Sequence, residues 1–235
     1  MTELAIRQPP KVLVPVKVLA GGSIPDALVR FLAPAEVVVL GYHVLPEQTP
    51  TEQADEQYGE QAREAVADIA AAFEGEGRAV ETRVAFTHDR DETIERVAAE
   101  TDATATLVPN PTGELDSILV PFRGAVDVSR TADLVAALFS EREGSVTLLG
   151  FEGTTDAVDT AHTTLLERGL DPERVHTEMA EGESSVREIA EYAADFDVVV
   201  MGEGGPSLLA SVIGDDAERV AAESFGPVLV VRNRD

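Results

Sequence analysis

The chain has 235 residues, with 44 acidic side chains against 18 basic ones, a formal charge of −26 and no cysteine. Absent thiols exclude disulfides, thiolate catalysis and zinc–sulfur centres. The charge excludes nucleic acid and anionic membrane surfaces as partners, because their phosphates are repelled. Hydrophobic residues make up 44%, enough for the core of one large or two small globular domains. No apolar run approaches the roughly 20 residues of a membrane span. Residues 1–10 carry one Arg and no apolar run, so no signal peptide is expected and the expected location is cytoplasmic. The acids are spread along the whole length, which reads as adaptation to high salt. His43, His88, His162 and His176 show no metal-ligand spacing.

In chain order, Lys11 to Val16 reads as a buried strand. A loop with Gly21-Gly22, a short helix over 24–32 and a strand over 36–42 follow. Thr49-Pro50-Thr51-Glu52 predicts a capping box with proline at the first helical position. It opens a long helix with an apolar stripe of Tyr58, Ala62, Val66, Ile69 and Phe73, closed by Gly75 and Gly77. Val80 to Phe86 reads as a strand. Asp89 to Glu92 starts a helix with Ile94 and Val97 facing inward, and Ala103 to Val108 reads as a fourth strand. Pro109 to Gly113 breaks the pattern. Ser117 to Phe122 is then a new strand, Asp127 caps a helix carrying Leu134, Val135 and Leu138, and Ser145 to Phe151 is a strand. A helix over 155–168 ends at Gly169. Next come a strand over 174–179 and a capping box, Ser185 to Glu188, for a helix with Ile189 and Tyr192. Val198 to Met201 runs into Gly202-Glu203-Gly204-Gly205. After Gly214-Asp215 and a polar helix-like run, Gly226-Pro227 opens the last apolar run, Val228 to Val231. Strands alternating with helices predict a parallel sheet covered on both faces.

An internal repeat organises these elements. Leu13-Val14-Pro15-Val16-Lys17 matches Leu119-Val120-Pro121-Phe122-Arg123, and Val39-Leu40-Gly41-Tyr42 matches Leu148-Leu149-Gly150-Phe151. At an offset of 92, Ile94 falls on Val186, Val97 on Ile189, Val108 on Val200 and Asn110 on Gly202. Only the second copy continues through a glycine loop, a fourth helix and a fifth strand. The expectation is a truncated domain over 1–113 and a complete one over 114–235, ordinary sizes for domains.

The paired Leu-Val-Pro openings at 13–15 and 119–121, the glycines after the second copy's fourth strand and the Gly-Pro-Val-Leu-Val-Val-Arg ending at 226–232 resemble a tandem universal stress protein. The resemblance implies an α/β fold of two flavodoxin-like, three-layer domains of the adenine nucleotide alpha hydrolase-like kind. The implied strand order is 3-2-1-4-5 in the second, with the first lacking strand 5. One branch of that family binds ATP through Gly-x2-Gly-x9-Gly-Ser/Thr and an Asp after the first strand; another binds none. Here eight residues separate Gly205 from Gly214, Asp215 stands where Ser/Thr is expected, and Arg123 stands where the Asp is expected.

The resemblance therefore implies an altered or degenerate nucleotide pocket in the second copy, lined by Pro121, Arg123, Gly124, Gly202, Gly204, Gly205, Gly214 and Asp215. ATP is the candidate cofactor, and no metal site is expected. No phosphate-binding Gly-x4-Gly-Lys-Ser/Thr loop and no Gly-x-Ser-x-Gly elbow occurs. Nothing assembles a base, a nucleophile and an oxyanion site. The expected function is a non-catalytic stress-response or regulatory protein. The alternatives are a sensor of ATP or another small anionic ligand, with weak nucleotide hydrolysis as the enzymatic variant, and a regulatory partner of a membrane transporter. The apolar strand over 227–232 would be an exposed edge, a liability unless covered. It predicts a homodimer built on the second domain.

Overall fold

The computed structural model describes residues 9–75, 77, 80–110, 113–139, 142–181, 186–203 and 226–233. The expected α/β class is the one found. The strands are β1 (Lys11–Lys17), β2 (Glu36–Val44), β3 (Val80–Thr87), β4 (Ala105–Val108), β5 (Ser117–Pro121), β6 (Ser145–Gly150), β7 (Val175–Met179), β8 (Val198–Gly202) and β9 (Val228–Val231). The helices are α1 (Asp26–Leu32), α2 (Thr51–Glu74), α3 (Arg90–Glu100), α4 (Val128–Phe139), α5 (Thr155–Glu167) and α6 (Val186–Ala193). All nine strands lie in one sheet, in the order β3-β2-β1-β4-β9-β8-β5-β6-β7. The second half thus has the 3-2-1-4-5 order and the first half has 3-2-1-4.

The two halves meet at β9. It pairs parallel with β8, Val199 to Gly202 against Val228 to Val231. It pairs antiparallel with β4, Ala105 opposite Val231 and Val108 opposite Val228. The expected free edge is therefore absent: one strand completes the second half and also closes the first. With both sides of β9 occupied, the reason for a homodimer through this strand falls away. The four apolar residues alternate between the two faces of the sheet, as the period of two requires. Leu229 and Val231 join the core under α1, α2, α4 and α5, which runs continuously beneath both halves. Val228 and Val230 join the cluster under α6 on the opposite face, while α3 covers a third cluster built on Leu13, Val38 and Leu40.

The repeat is visible in how equivalent residues pack. A Cβ on Gly41 would collide with Val66 of α2, and one on Gly150 with Val158 of α5, so each glycine lets a helix approach its strand. The Thr104 hydroxyl accepts from the Lys11 amide at 3.2 Å, and the Asp197 carboxylate accepts from the Ser117 amide at 2.9 Å. These pairs also correct the alignment. Val12 and Leu13 sit beside Ala105 and Thr106, whereas Ile118 and Leu119 sit beside Val198 and Val199. The fourth strands therefore correspond at an offset of 93, one more than the helices before them, because the second copy has one extra residue between helix and strand. Pro109, not Asn110, is the counterpart of Gly202. A one-residue slip exchanges the faces of a strand, and the 92 offset would have equated Val108, which packs toward the α6 side, with Val200, which packs toward the other.

Helix α2 departs from expectation at its start. Pro50 takes the cap position and no side chain caps the helix, so Thr49 does not form the predicted box. Tyr58 is 37% exposed, and Ala54 and Ala70 share the buried stripe with Ala62, Val66 and Phe73. The cap expected at Asp127 does form, its carboxylate accepting from the Arg130 amide at 2.9 Å, and Asp89, where a helix start was expected, caps α3 in the same way, accepting from the Glu92 amide at 3.0 Å. The box at Ser185 lies outside the described residues.

The seam between the halves carries two further contacts. The Arg142 guanidinium lies 5.3 Å from the ring centroid of Phe31 in α1. Burial pushes it below its usual value, with Asp116 opposing that shift and Arg30 adding to it. On the other side, Arg130 of α4 donates to the Ala103 carbonyl at 3.2 Å.

Candidate functional site

In an open parallel sheet the ligand crevice lies beyond the carboxyl ends of the strands, where the strand order reverses. For the second half this point lies between β5 and β8. Their neighbouring ends bring together Pro121, Arg123 and Gly124 from one side and Gly202 and Glu203 from the other. The candidate residues Gly204, Gly205, Gly214 and Asp215 lie outside the described residues.

Each described candidate has a local reason for its position. Pro121 is the last residue of β5, buried, beside Leu149 of β6. Phe122 follows it, 1% exposed, and its amide donates to the Leu149 carbonyl. Arg123 is half-buried and its Nη1 is buried without a partner among the described residues. Gly124 has φ +64, the left-handed conformation that turns the chain away from the sheet. The chain then passes over the end of β8: a Cβ on Gly202 would lie 2.5 Å from Cγ1 of Val126. Gly202 is glycine because Val126 packs on it, and its backbone is covered on that side.

Two amides at the start of α4 are also taken, those of Asp127 and Arg130. The first N–H groups of a helix attract anions. Here the Asp127 amide donates to Oδ1 of Asn233 at 3.0 Å, the Arg130 amide donates to the Asp127 carboxylate, and the Thr131 amide donates to the Asp127 carbonyl. Asn233, just beyond β9, donates through Nδ2 to the Glu203 carbonyl at 2.9 Å. Its backbone amide lies 3.4 Å from a Glu203 carboxylate oxygen. One side-chain amide thereby spans both flanks of the crevice.

Val126, Arg130 and Asn233 were not singled out from sequence. Arg130 Nε is, with Arg123 Nη1 and His43 Nδ1, one of the buried side-chain polar atoms without a partner among the described residues. A basic residue three positions after a capping Asp gives no sequence signal of this. Nor does an Asn two residues after an apolar strand, because its partners lie 30 and 106 residues away. Among the described residues no group of three or more His, Asp or Glu side chains is placed to hold a metal ion. No described helix is long and apolar enough to cross a membrane.

No protein-family model matches the chain, and no curated protein sequence matches it significantly. By fold it is similar to a universal stress protein from Archaeoglobus fulgidus, with a TM-score of 0.64 and 15% identity over 97% of this chain and 98% of that one. It also matches a functionally unknown protein from Pseudomonas aeruginosa, with a TM-score of 0.46 and 17% identity over 95% and 92% of the two chains. The cytoplasmic domain of a prokaryotic cation chloride cotransporter gives a TM-score of 0.46 and 14% identity over 94% and 95%. At these identities the shared property is the fold. The first of the three sets the class: an α/β protein with the fold of a universal stress protein along nearly its whole length.

Proposed function

We propose that the chain is a non-catalytic stress-response or regulatory protein of the universal stress protein kind, with a degenerate nucleotide pocket in its second half. The observation that carries this reading is the self-occupied crevice. Val126 covers Gly202, and the Asp127 amide that could meet a phosphate meets Asn233 instead. The carboxylates of Asp127 and Glu203 at the same mouth add charge that repels an anion.

The test is equilibrium dialysis of labelled ATP at molar KCl, with and without Mg²⁺, beside an assay of phosphate release. The expected result is no saturable binding tighter than about 1 mM, roughly −4 kcal/mol, and no release above buffer. Saturable micromolar binding would overturn it in favour of a nucleotide or small-anion sensor. That second reading has one observation behind it: Arg123 Nη1 and Arg130 Nε are buried without partners among the described residues, and a buried donor left unpaired costs about 1–3 kcal/mol.

A further inference from the structure

Among the described residues β3 and β7, the corresponding third strands of the two halves, are the ends of the sheet. Strand β3 runs beside β2 from Val80 to Thr87 without a bulge. It contains no proline and no lysine, the residues that most often blunt an exposed edge. Thr87 turns its carbonyl toward β2, where it accepts from the Leu45 amide at 2.7 Å. Successive residues of a strand point their backbone groups to opposite sides, so Val80, Thr82, Val84 and Phe86 turn theirs outward. The Thr82 carbonyl accordingly accepts from the exposed Arg83 guanidinium at 3.2 Å. The side chains of Val80, Val84 and Phe86 are partly buried against the core under α2. Glu81 and Arg83 lie on the other face, where Ala85 packs under α3, and they pair with each other.

We propose that β3 is a self-pairing edge: two copies of the chain join β3 to β3, antiparallel, about a two-fold axis at Thr82. A ladder forms only where outward backbone groups face each other, and charge selects among the registers that allow this. An axis at Glu81 or at Arg83 sets like charges directly opposite, which is destabilising. An axis at Val84 sets Glu81 and Arg83 opposite the partner's Thr87 and the partner's Ala85. An axis at Thr82 sets Glu81 opposite the partner's Arg83, and Arg83 opposite the partner's Glu81. These are non-hydrogen-bonded pairs, whose Cα atoms approach to about 4.5 Å. Val80 then lies opposite the partner's Val84. Strand β7 argues against an open filament. Its Ala180 amide donates to the Gly150 carbonyl of β6 at 2.9 Å, so Thr177 turns outward, flanked by His176 and Glu178. The order is base then acid, the reverse of β3. Antiparallel stacking of Thr82 on the partner's Thr177 opposes Glu81 to the partner's Glu178 and Arg83 to the partner's His176, so charge favours the closed pair. The two-fold also brings α2 beside its copy, with seven acids and one Arg in each, so the pair forms where salt screens them.

Light scattering and sedimentation equilibrium of the full chain at molar KCl are expected to give a concentration-dependent mass that rises to twice that of the chain. Thr82→Pro removes an outward amide that makes no hydrogen bond among the described residues, and proline is tolerated on a sheet edge. Circular dichroism verifies that each variant is folded. Thr82→Pro is expected to be monomeric, and Thr177→Pro, the matching change on β7, to keep the dimer. Arg83→Glu and Glu81→Arg each place like charges opposite one another twice in the dimer. Each is expected to weaken association about tenfold, although the first makes the chain more negative and the second less. In an equimolar mixture of these two variants, opposite charges face each other again at both places, and association is expected to return to about the wild-type strength. A wild-type chain that is monomeric at every concentration overturns the proposal, as does a dimer lost in Thr177→Pro and kept in Thr82→Pro. A mixture that associates as weakly as its components overturns the register at Thr82. None of these results bears on the reading of the crevice, which this inference does not use.

Discussion

Gly226 has a steric role that can be tested apart from any ligand. A Cβ there would collide with the backbone oxygen of Asp197, the residue whose carboxylate also accepts from the Ser117 amide and hydroxyl and the Asp116 amide. A backbone oxygen cannot swing aside as a side chain can. Gly226→Ala must therefore displace either the entry to β9 or the entry to β8. The expected loss is about 1–3 kcal/mol, the usual scale of forced overpacking, read as a lower midpoint in thermal melts at fixed salt. Gly124→Ala provides a contrast, since a Cβ there meets nothing within 4 Å and the strain comes only from φ +64. At this scale the sequence marks the glycines and leaves their partners unmarked. Gly41 and Gly150 could be matched as a repeated pair, but the valines that require them, Val66 and Val158, lie at a different offset, chiefly because α2 is much longer than α5 and its valine sits in the second half of the helix rather than in the first turn. The clasp at Asn233 was illegible for the same reason: a side-chain amide bridging residues far apart in sequence leaves no local pattern.

Strand β9 couples the halves, and its substitution tests that coupling. Leu229 is fully buried, in the core that runs beneath both halves, and lies opposite both Leu107 and Val200. Leu229→Ala is expected to destabilise by about 2–5 kcal/mol and to lower the stability of both halves together. In calorimetry the wild type and the variant are each expected to unfold in one transition, with van't Hoff and calorimetric enthalpies equal. Two resolved transitions, with only the second-half one moved, would show that β9 belongs to one half alone. The run from Val228 to Val231 was legible as a buried strand, because four apolar residues in a row fit burial on both faces. Its neighbour was not: hydrophobic pattern reports which faces are covered and is silent on which strand lies alongside. The alternation of elements and the repeat gave a parallel sheet and two related halves, while the strand order within each half was an expectation of the resemblance to the universal stress protein fold. The antiparallel join to β4 is a long-range choice that no local pattern encodes, and it is what displaced the expected homodimer edge.

At the scale of the whole molecule, charge dominates. The 44 acids exceed the 18 bases by 26, and the described ion pairs neutralise little of this at the surface. Arg63–Asp55, Arg96–Glu100 and Arg187–Glu191 have their side chains half or more exposed or nearly so, a setting in which such a pair contributes about 0–1 kcal/mol. The fold must therefore hold together against the mutual repulsion of a carboxylate-rich surface, a force whose range is set by the solvent. The Debye length is about 10 Å at 0.1 M salt and about 3 Å at 1 M, so in molar salt each carboxylate is screened from all but its nearest neighbours. Melting temperature is expected to climb as KCl is raised from dilute buffer to molar concentration, and the chain to unfold in dilute buffer and regain its fold on return to molar salt. For a chain of this length each kcal/mol recovered raises the midpoint by roughly 2–4 °C. Screening depends on ionic strength, so NaCl and KCl should act alike and most of the gain should come before 1 M. A stabilisation that grows steadily past 1 M and is far larger in sulfate would instead mark exclusion of the salt from the surface. A midpoint that does not move with salt would show that the acidic surface carries no energetic burden in the fold.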